Sequence, residues 1–208
     1  MIKTDSRIQH DALAETTKSI EGWEWVLRGG DRVVIRPLHV EDAEMERSFI
    51  EGLSPVARRF RFLDSMKSPG EDLLKQLTVL DPKTDVAYVA VTEAGGQEKQ
   101  VGVGRFSVGS GGHDCEFAIT VTDAWQNKGL GTLLMQHLVE DARKRGIVDM
   151  HSSDAWDNDL MRRFAGHLGL RHRLDPDDAA RVLYSLELKQ AEAAKTAAPV
   201  QPLDKDLK

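Results

Sequence analysis

Apolar positions change their spacing along this chain, and each change marks an element. Arg32-Val33-Val34-Ile35-Arg36 is a short β-branched run that predicts a strand, and Ala43, Phe49 and Ile50 within the polar run Glu41–Glu51 follow helical spacing. Ser54-Pro55 and Ser68-Pro69 each read as an N-cap followed by proline at the first helical position, so two short helices are expected. Val86–Thr92 is apolar and β-rich, Gly95-Gly96 turns the chain, and Val101–Ser107 returns; Gly109, Gly111 and Gly112 turn it again into Cys115–Val121. These three segments predict an antiparallel meander whose first hairpin has a somewhat long loop.

Further on, Leu130, Leu133, Leu134, Leu138 and Ala142 form one stripe of an amphipathic helix that stops at Arg145-Gly146. Ile147–Ser152 reads as a buried strand. Asp157 or Asn158 caps another helix, with Leu160, Met161, Phe164 and Leu168 on its apolar side and Gly169 ending it, and Arg181–Leu188 is a last strand. Residues 1–28, polar apart from Trp23 and Trp25, show helical rather than strand spacing and are set apart as an N-terminal extension. Residues 189–208 carry too few large apolar side chains to fold alone and read as a flexible tail. Between them, 29–188 is expected to form one α/β (α+β) domain, a mixed, mostly antiparallel sheet of about six or seven strands flanked by helices.

Composition narrows the class. A chain of 208 residues suits one domain, and its net charge of −6 argues against nucleic acid or anionic membrane as partners. Cys115, the single cysteine, excludes an intramolecular disulfide. The first residues lack the apolar region of a secretory signal, and no apolar run approaches the roughly 20 residues of a membrane span, so a reducing, cytoplasmic setting is expected.

The candidate chemistry centres on Gln126-Asn127-Lys128-Gly129-Leu130-Gly131-Thr132, between a strand and a helix. Backbone N–H groups at a helix start suit an anion. A P-loop is excluded because Lys128 precedes both glycines, and the dinucleotide fingerprint because Leu134 stands where its third glycine belongs. A pyrophosphate remains a fitting guest.

Gln-x-x-Gly-x-Gly ahead of a leucine-striped helix resembles the acyl-CoA loop of the GNAT family of N-acetyltransferases, and the resemblance runs over about residues 32–188, where the order of elements also matches. Leu53-Ser54, Arg61-Phe62 and Glu116-Phe117-Ala118 are similar to the acetyltransferase domain of bacterial protein-lysine acetyltransferases that modify acyl-CoA synthetases. The resemblance implies a GNAT fold whose sheet splays between its fourth and fifth strands, after Val121. It implies acetyl-CoA as co-substrate, its pyrophosphate on Gln126, Asn127, Lys128, Gly129, Leu130, Gly131 and Thr132, and its pantetheine arm paired with the backbone of Ile119, Thr120 and Val121. Asn158 is either a further cofactor contact or simply a cap.

Acetylation needs a free amine, and a lysine amine is deprotonated in only about one part in 2,500 at pH 7, so a base is required. Strand alternation sets Glu116 opposite the apolar Cys115 and Phe117, and the resemblance places the catalytic glutamate there too. The tyrosine that many relatives use to protonate the thiolate corresponds to Ala165, so water would supply that proton, which a thiol pKa of about 8.5 permits. The expected reaction is direct attack of a primary amine on acetyl-CoA in a ternary complex. A protein lysine, on an acyl-CoA synthetase-like partner, is the favoured acceptor; a small amine and a non-catalytic acyl-CoA sensor are the alternatives, and a homodimer is left open.

The other reactive residues read more plainly. Cys115 lacks triad spacing and reads as packing; His167 and His172 lack a zinc pattern, so no metal is expected. His113 and His151 fall near the cleft, where an ordinary surface histidine is the simpler reading. Arg58, Arg59 and Arg61 either meet an acidic partner surface or form a solvated helix face.

Overall fold

A computed structural model describes residues 22–62 and 67–188. Within them the elements run β1 Trp23–Val26, β2 Arg32–Pro37, α1 Ala43–Gly52, α2 Pro55–Phe62, α3 Glu71–Thr78, β3 Asp85–Ala94, β4 Gln97–Val108, β5 Asp114–Val121, α4 Leu130–Lys144, β6 Asp149–Ala155, α5 Asp159–Leu168, β7 Arg171–Leu174 and β8 Arg181–Glu187. They build one eight-stranded sheet in the order β1-β2-β3-β4-β5-β6-β8-β7. Its neighbours are antiparallel except β5 and β6, which run parallel. The expected mixed, mostly antiparallel sheet is therefore present, with two strands more at its edges than the apolar pattern marks.

Both extra strands owe their conformation to contacts that the local sequence does not carry. Trp23–Val26 pairs with β2 instead of coiling into a helix, so the sheet reaches back into the segment set apart as an N-terminal extension. Trp23 stacks on His137 of α4 with ring centroids 4.4 Å apart and meets Tyr88 edge-on at 5.8 Å, contacts that hold the strand against the helix. β7 is Arg-His-Arg-Leu, exposed throughout and paired with β8 alone, so it has no apolar alternation to announce it. Residues 1–21 and the tail from 189 to 208 lie outside the described residues.

Two turns also differ from expectation. The first hairpin closes through Gly95-Gly96 alone, with φ of 64° and 79°, a two-residue turn of the left-handed type that matches strand twist. β3 and β4 thus extend as a polar ribbon past the apolar segments. At α3 the N-cap is Gly70, not Ser68; the Ser68 hydroxyl donates to Glu51 at 2.6 Å. Ser54 behaves as expected, its Oγ accepting from the Ala57 N–H at 3.2 Å.

The sheet buries both faces. On one side Phe49, Ile50, Leu53, Leu74 and Leu77 of α1, α3 and their connection cover Val89, Val91 and Val103. On the other, Leu130, Leu134, Leu138 and Ala142 of α4 cover Ile35, Phe106 and Phe117, so the leucine stripe faces the core as its spacing requires. α4 sits close because β4 presents glycines to it: a Cβ at Gly104 would stand 3.2 Å from the Leu134 Cβ, and one at Gly102 3.3 Å from Leu130 and Leu134 side-chain atoms. This seating places the start of α4 beside the end of β5.

Candidate active site

The site is a fork in the sheet. β5 pairs with β4 from Cys115 to Val121, yet it pairs with β6 only through Asp114, Cys115 and Glu116, which face Asp149, Met150 and His151. β6 continues beside β8 to Ala155. Among the described residues, Phe117–Val121 on one side of the fork and Ser152–Ala155 on the other therefore each have an edge with no strand against it. Such an edge carries peptide donors and acceptors free for an extended ligand. The strands that part are the fourth and fifth of those read from the apolar pattern, the fifth and sixth once β1 is counted, and they part after Glu116 rather than after Val121, since β6 turns away from β5 while it stays paired with β8.

Glu116 stands at the branch point. Alternation makes Cys115 and Phe117 buried and Glu116 exposed, on the face covered by α1 to α3 rather than by α4. Beneath that face lies a buried polar group: Glu46 of α1, 1% exposed, accepts from Gln100 Nε2 at 2.6 Å and pairs with Arg105, which also donates to the Leu77 carbonyl at 3.1 Å. Arg61 of α2 is half-buried near Glu46, Arg105 and Glu116, and desolvation together with the charge of Arg105 lowers its pKa.

The loop after β5 brings the remaining expected residues together. Gly129 has φ of 92° and Asn127 φ of 59°, left-handed conformations that swing the chain into α4. The first α4 donor with a helical partner is Leu133, whose N–H reaches the Gly129 carbonyl at 3.1 Å, so the preceding N–H groups of Leu130, Gly131 and Thr132 point out of the helix start. A Cβ at Gly131 would lie 3.4 Å from Phe164 of α5. Leu130 itself turns into the core at 1% exposure. Free N–H groups at the positive end of a helix, beside an unpaired strand edge, fit a pyrophosphate joined to an extended arm.

Several side chains in this loop hold it in shape. Gln126 Nε2 donates to the Val121 carbonyl and to Asp123, both at 3.1 Å, which ties the loop to the end of β5. Lys128 Nζ is 2.9 Å from Asp31 and lies 5.1 Å from the Trp125 ring centroid, and its carbonyl accepts from the Arg28 N–H at 3.3 Å. The β1–β2 turn thus buttresses the loop, a contact between residues far apart in sequence. Asn158 caps α5: its Oδ1 accepts from the Met161 N–H at 3.1 Å and its Nδ2 donates to Asp154 at 2.9 Å. Ala165, 1% exposed, brings no hydroxyl to the fork.

Cys115 and the arginines are taken up within the fold, and one histidine stands apart from them. Cys115 is fully buried, and desolvation with help from Asp114 and Asp149 pushes its thiol up to about 12, which makes it inert as a nucleophile. Arg58 is used on the carbonyls of Leu53 and Lys67, and Arg59 crosses the mouth of the fork to Asp157 at 2.8 Å. Arg58 and Arg59 therefore tie α2 to the chain on either side of it and to the start of α5. The histidine is His151, which the β5–β6 register sets directly beside Glu116. Among the described residues no group of three or more His, Cys, Asp and Glu is placed to hold a metal, and no helix is long and apolar enough to cross a membrane. A groove of about 340 Å³ lined by Met135, Val139, Arg143, Leu168 and Leu186 contains none of the expected site residues.

Known proteins share this arrangement. The family described as acetyltransferase (GNAT) matches residues 56–170. The acetyltransferase PA5475 of Pseudomonas aeruginosa is 38% identical over 185 residues, which cover 88% of this chain and all of that protein. The crystal structure of the GNAT domain of S. lividans PAT superposes with a TM-score of 0.72 at 26% identity, over 80% of this chain and 97% of that one. A cAMP-binding acyltransferase from Mycobacterium smegmatis shares the fold at 23% identity and a TM-score of 0.56, this chain matching 47% of its length. The family match over residues 56–170 and these relatives lead to one assignment: the chain belongs to the GNAT acetyltransferase family and is an acyl-CoA-dependent transferase.

Proposed function

We propose that the chain transfers acetyl from acetyl-CoA to a primary amine, with Glu116 as the base and a protein lysine as acceptor. The observation that carries the reading is the position of Glu116 at the branch of the fork, on the face away from the α4 start. Cofactor and amine can then approach from opposite sides of the sheet and meet at one carboxylate. Similarity to a GNAT domain called PAT, together with the Leu53-Ser54, Arg61-Phe62 and Glu116-Phe117-Ala118 stretches, favours the lysine over a small amine.

Bound acetyl-CoA supplies an activated thioester. The N–H groups of Asn127 to Thr132 hold its pyrophosphate, with Gln126 and Lys128 keeping the loop in place. The free edge at Ile119, Thr120 and Val121 aligns the pantetheine arm, and Asn158 keeps one Nδ2 hydrogen for the cofactor. Orienting both reactants in this way supplies much of the rate advantage. Glu116, directly or through one water, takes the amine proton, and a β5 N–H donates to the carbonyl oxygen as charge gathers there. With Ala165 in place of a hydroxyl, water protonates the departing sulfur. A cytoplasmic setting and a domain spanning 29–188, with β1 as its buttress, complete the proposal.

Incubation with radiolabelled acetyl-CoA and either cell proteins or a panel of amines tests the acceptor. Label in protein is expected; label confined to small molecules would assign a small-amine enzyme, and cofactor binding without any transfer would favour a sensor. Glu116→Gln is expected to lower kcat by about 10²- to 10⁴-fold while calorimetry shows CoA binding intact. Unchanged turnover in that variant would remove the base assignment.

A further inference from the structure

His151 is one of the two residues beside Glu116 by strand register, Ser107 of β4 being the other, and it is not a lone surface histidine. Parallel pairing sets residue 151 directly against residue 116 at the last rung before the fork opens. Paired residues in a sheet point to the same face, so the imidazole and the carboxylate share the acceptor side. His151 Nδ1 lies 3.8 Å from Asp114 Oδ2, with both side chains just under half exposed. This leaves Nε2 free to meet Glu116 or a water between them.

Proton accounting gives such a neighbour a task. Turning an ammonium and a thioester into an amide and a thiol takes two protons from nitrogen; one ends on sulfur and the other is released. A carboxylate of ordinary pKa, about 4.3, takes a proton from an amine near 10.4 against roughly a million-fold gradient, whereas an imidazole of about 6.5 faces only roughly ten-thousand-fold. We propose that His151, with Asp114 beside it, receives the amine proton through Glu116 and is where that proton rests during turnover. An N–H bond of the amine breaks as the Glu116 O–H forms, that O–H breaks as the imidazole N–H forms, and the imidazolium then gives its proton to solvent along its exposed edge. His151 is a positioning residue in this scheme, since it acts on the amine through Glu116.

Charged groups surround His151 from each strand packed against it. Asp114 and Glu116 face it from β5, Asp149 precedes it on the same face of β6, and Glu187 of β8 stands opposite Asp149. Arg171 of β7 stands opposite Ser185, the β8 partner of His151, and is paired with Glu187; Arg61 of α2 acts on the Glu116 side. Four carboxylates thus oppose two guanidiniums, one of them already neutralised.

The inference rests on Glu116 as the base, and its test separates the two. In the full chain, with a lysine peptide as acceptor, His151→Asn is expected to lower kcat and to move the acid limb of its pH profile down by roughly one to two units, because the proton then rests on the carboxylate. Histidine resonances in the proton NMR spectrum, with His151 identified by its absence in His151→Asn, provide a readout that needs no acceptor. Glu116→Gln and Asp114→Asn should each lower the His151 titration midpoint by about half a unit. A kcat loss without movement of the acid limb, or a His151 midpoint indifferent to both variants, overturns the inference while leaving Glu116 as the base. Full turnover in Glu116→Gln overturns both.

Discussion

Single side chains at this site do two kinds of work, and Asn158 illustrates the difference. Its amide is committed to the Met161 N–H and to Asp154, whose own pKa is raised by burial despite that hydrogen bond. Asn158→Ala should therefore cost about 1 kcal/mol in urea unfolding through the lost cap alone. A calorimetric Kd for CoA that does not move in that variant would leave capping as its whole role. Gln126 and Lys128 were legible as loop residues because their neighbours are glycines and a helix start. Their partners Val121, Asp123 and Asp31 were not, since a side chain's direction depends on what lies across from it.

At the level of elements, α4 is positioned by what β4 lacks. Gly102 and Gly104 let Leu130, Leu134 and Leu138 descend onto the sheet, and that descent carries the free N–H groups of the helix start to the end of β5. Gly104→Val is expected to lose about 1–3 kcal/mol through overpacking against Leu134. The urea midpoint should fall with an unchanged slope, and a midpoint equal to that of the parent would refute the close seating. Most helix boundaries were readable because caps, leucine stripes and terminal glycines are local signals, the start of α3 being the exception because the Ser68 hydroxyl turns to Glu51. β1 and β7 were not, because a four-residue strand has too short a period to declare itself and depends on its neighbour for pairing.

For the whole molecule, Arg36 joins distant parts of the fold through forks to Asp42 and Glu98, at 2.8 and 2.7 Å. Burial would raise the Asp42 carboxyl, but the Arg36 hydrogen bonds outweigh it and hold the pKa below its ordinary 3.8. A carboxyl depressed in the folded state contributes stability above its unfolded pKa and loses it as pH falls through the folded value. The wild type should therefore lose stability between about pH 4 and 2 more steeply than Asp42→Asn, measured by urea midpoints across that range. Equal slopes would show that the pair contributes nothing. The sequence by itself determined the type and order of most elements, the glycine loop and the candidate base, because periodicity, capping and left-handed glycines are properties of adjacent residues. Only the tertiary structure decided where β5 and β6 stop pairing. That stopping point is a balance of contacts between segments remote along the chain, and it sets Glu116 beside His151 at the branch of the fork.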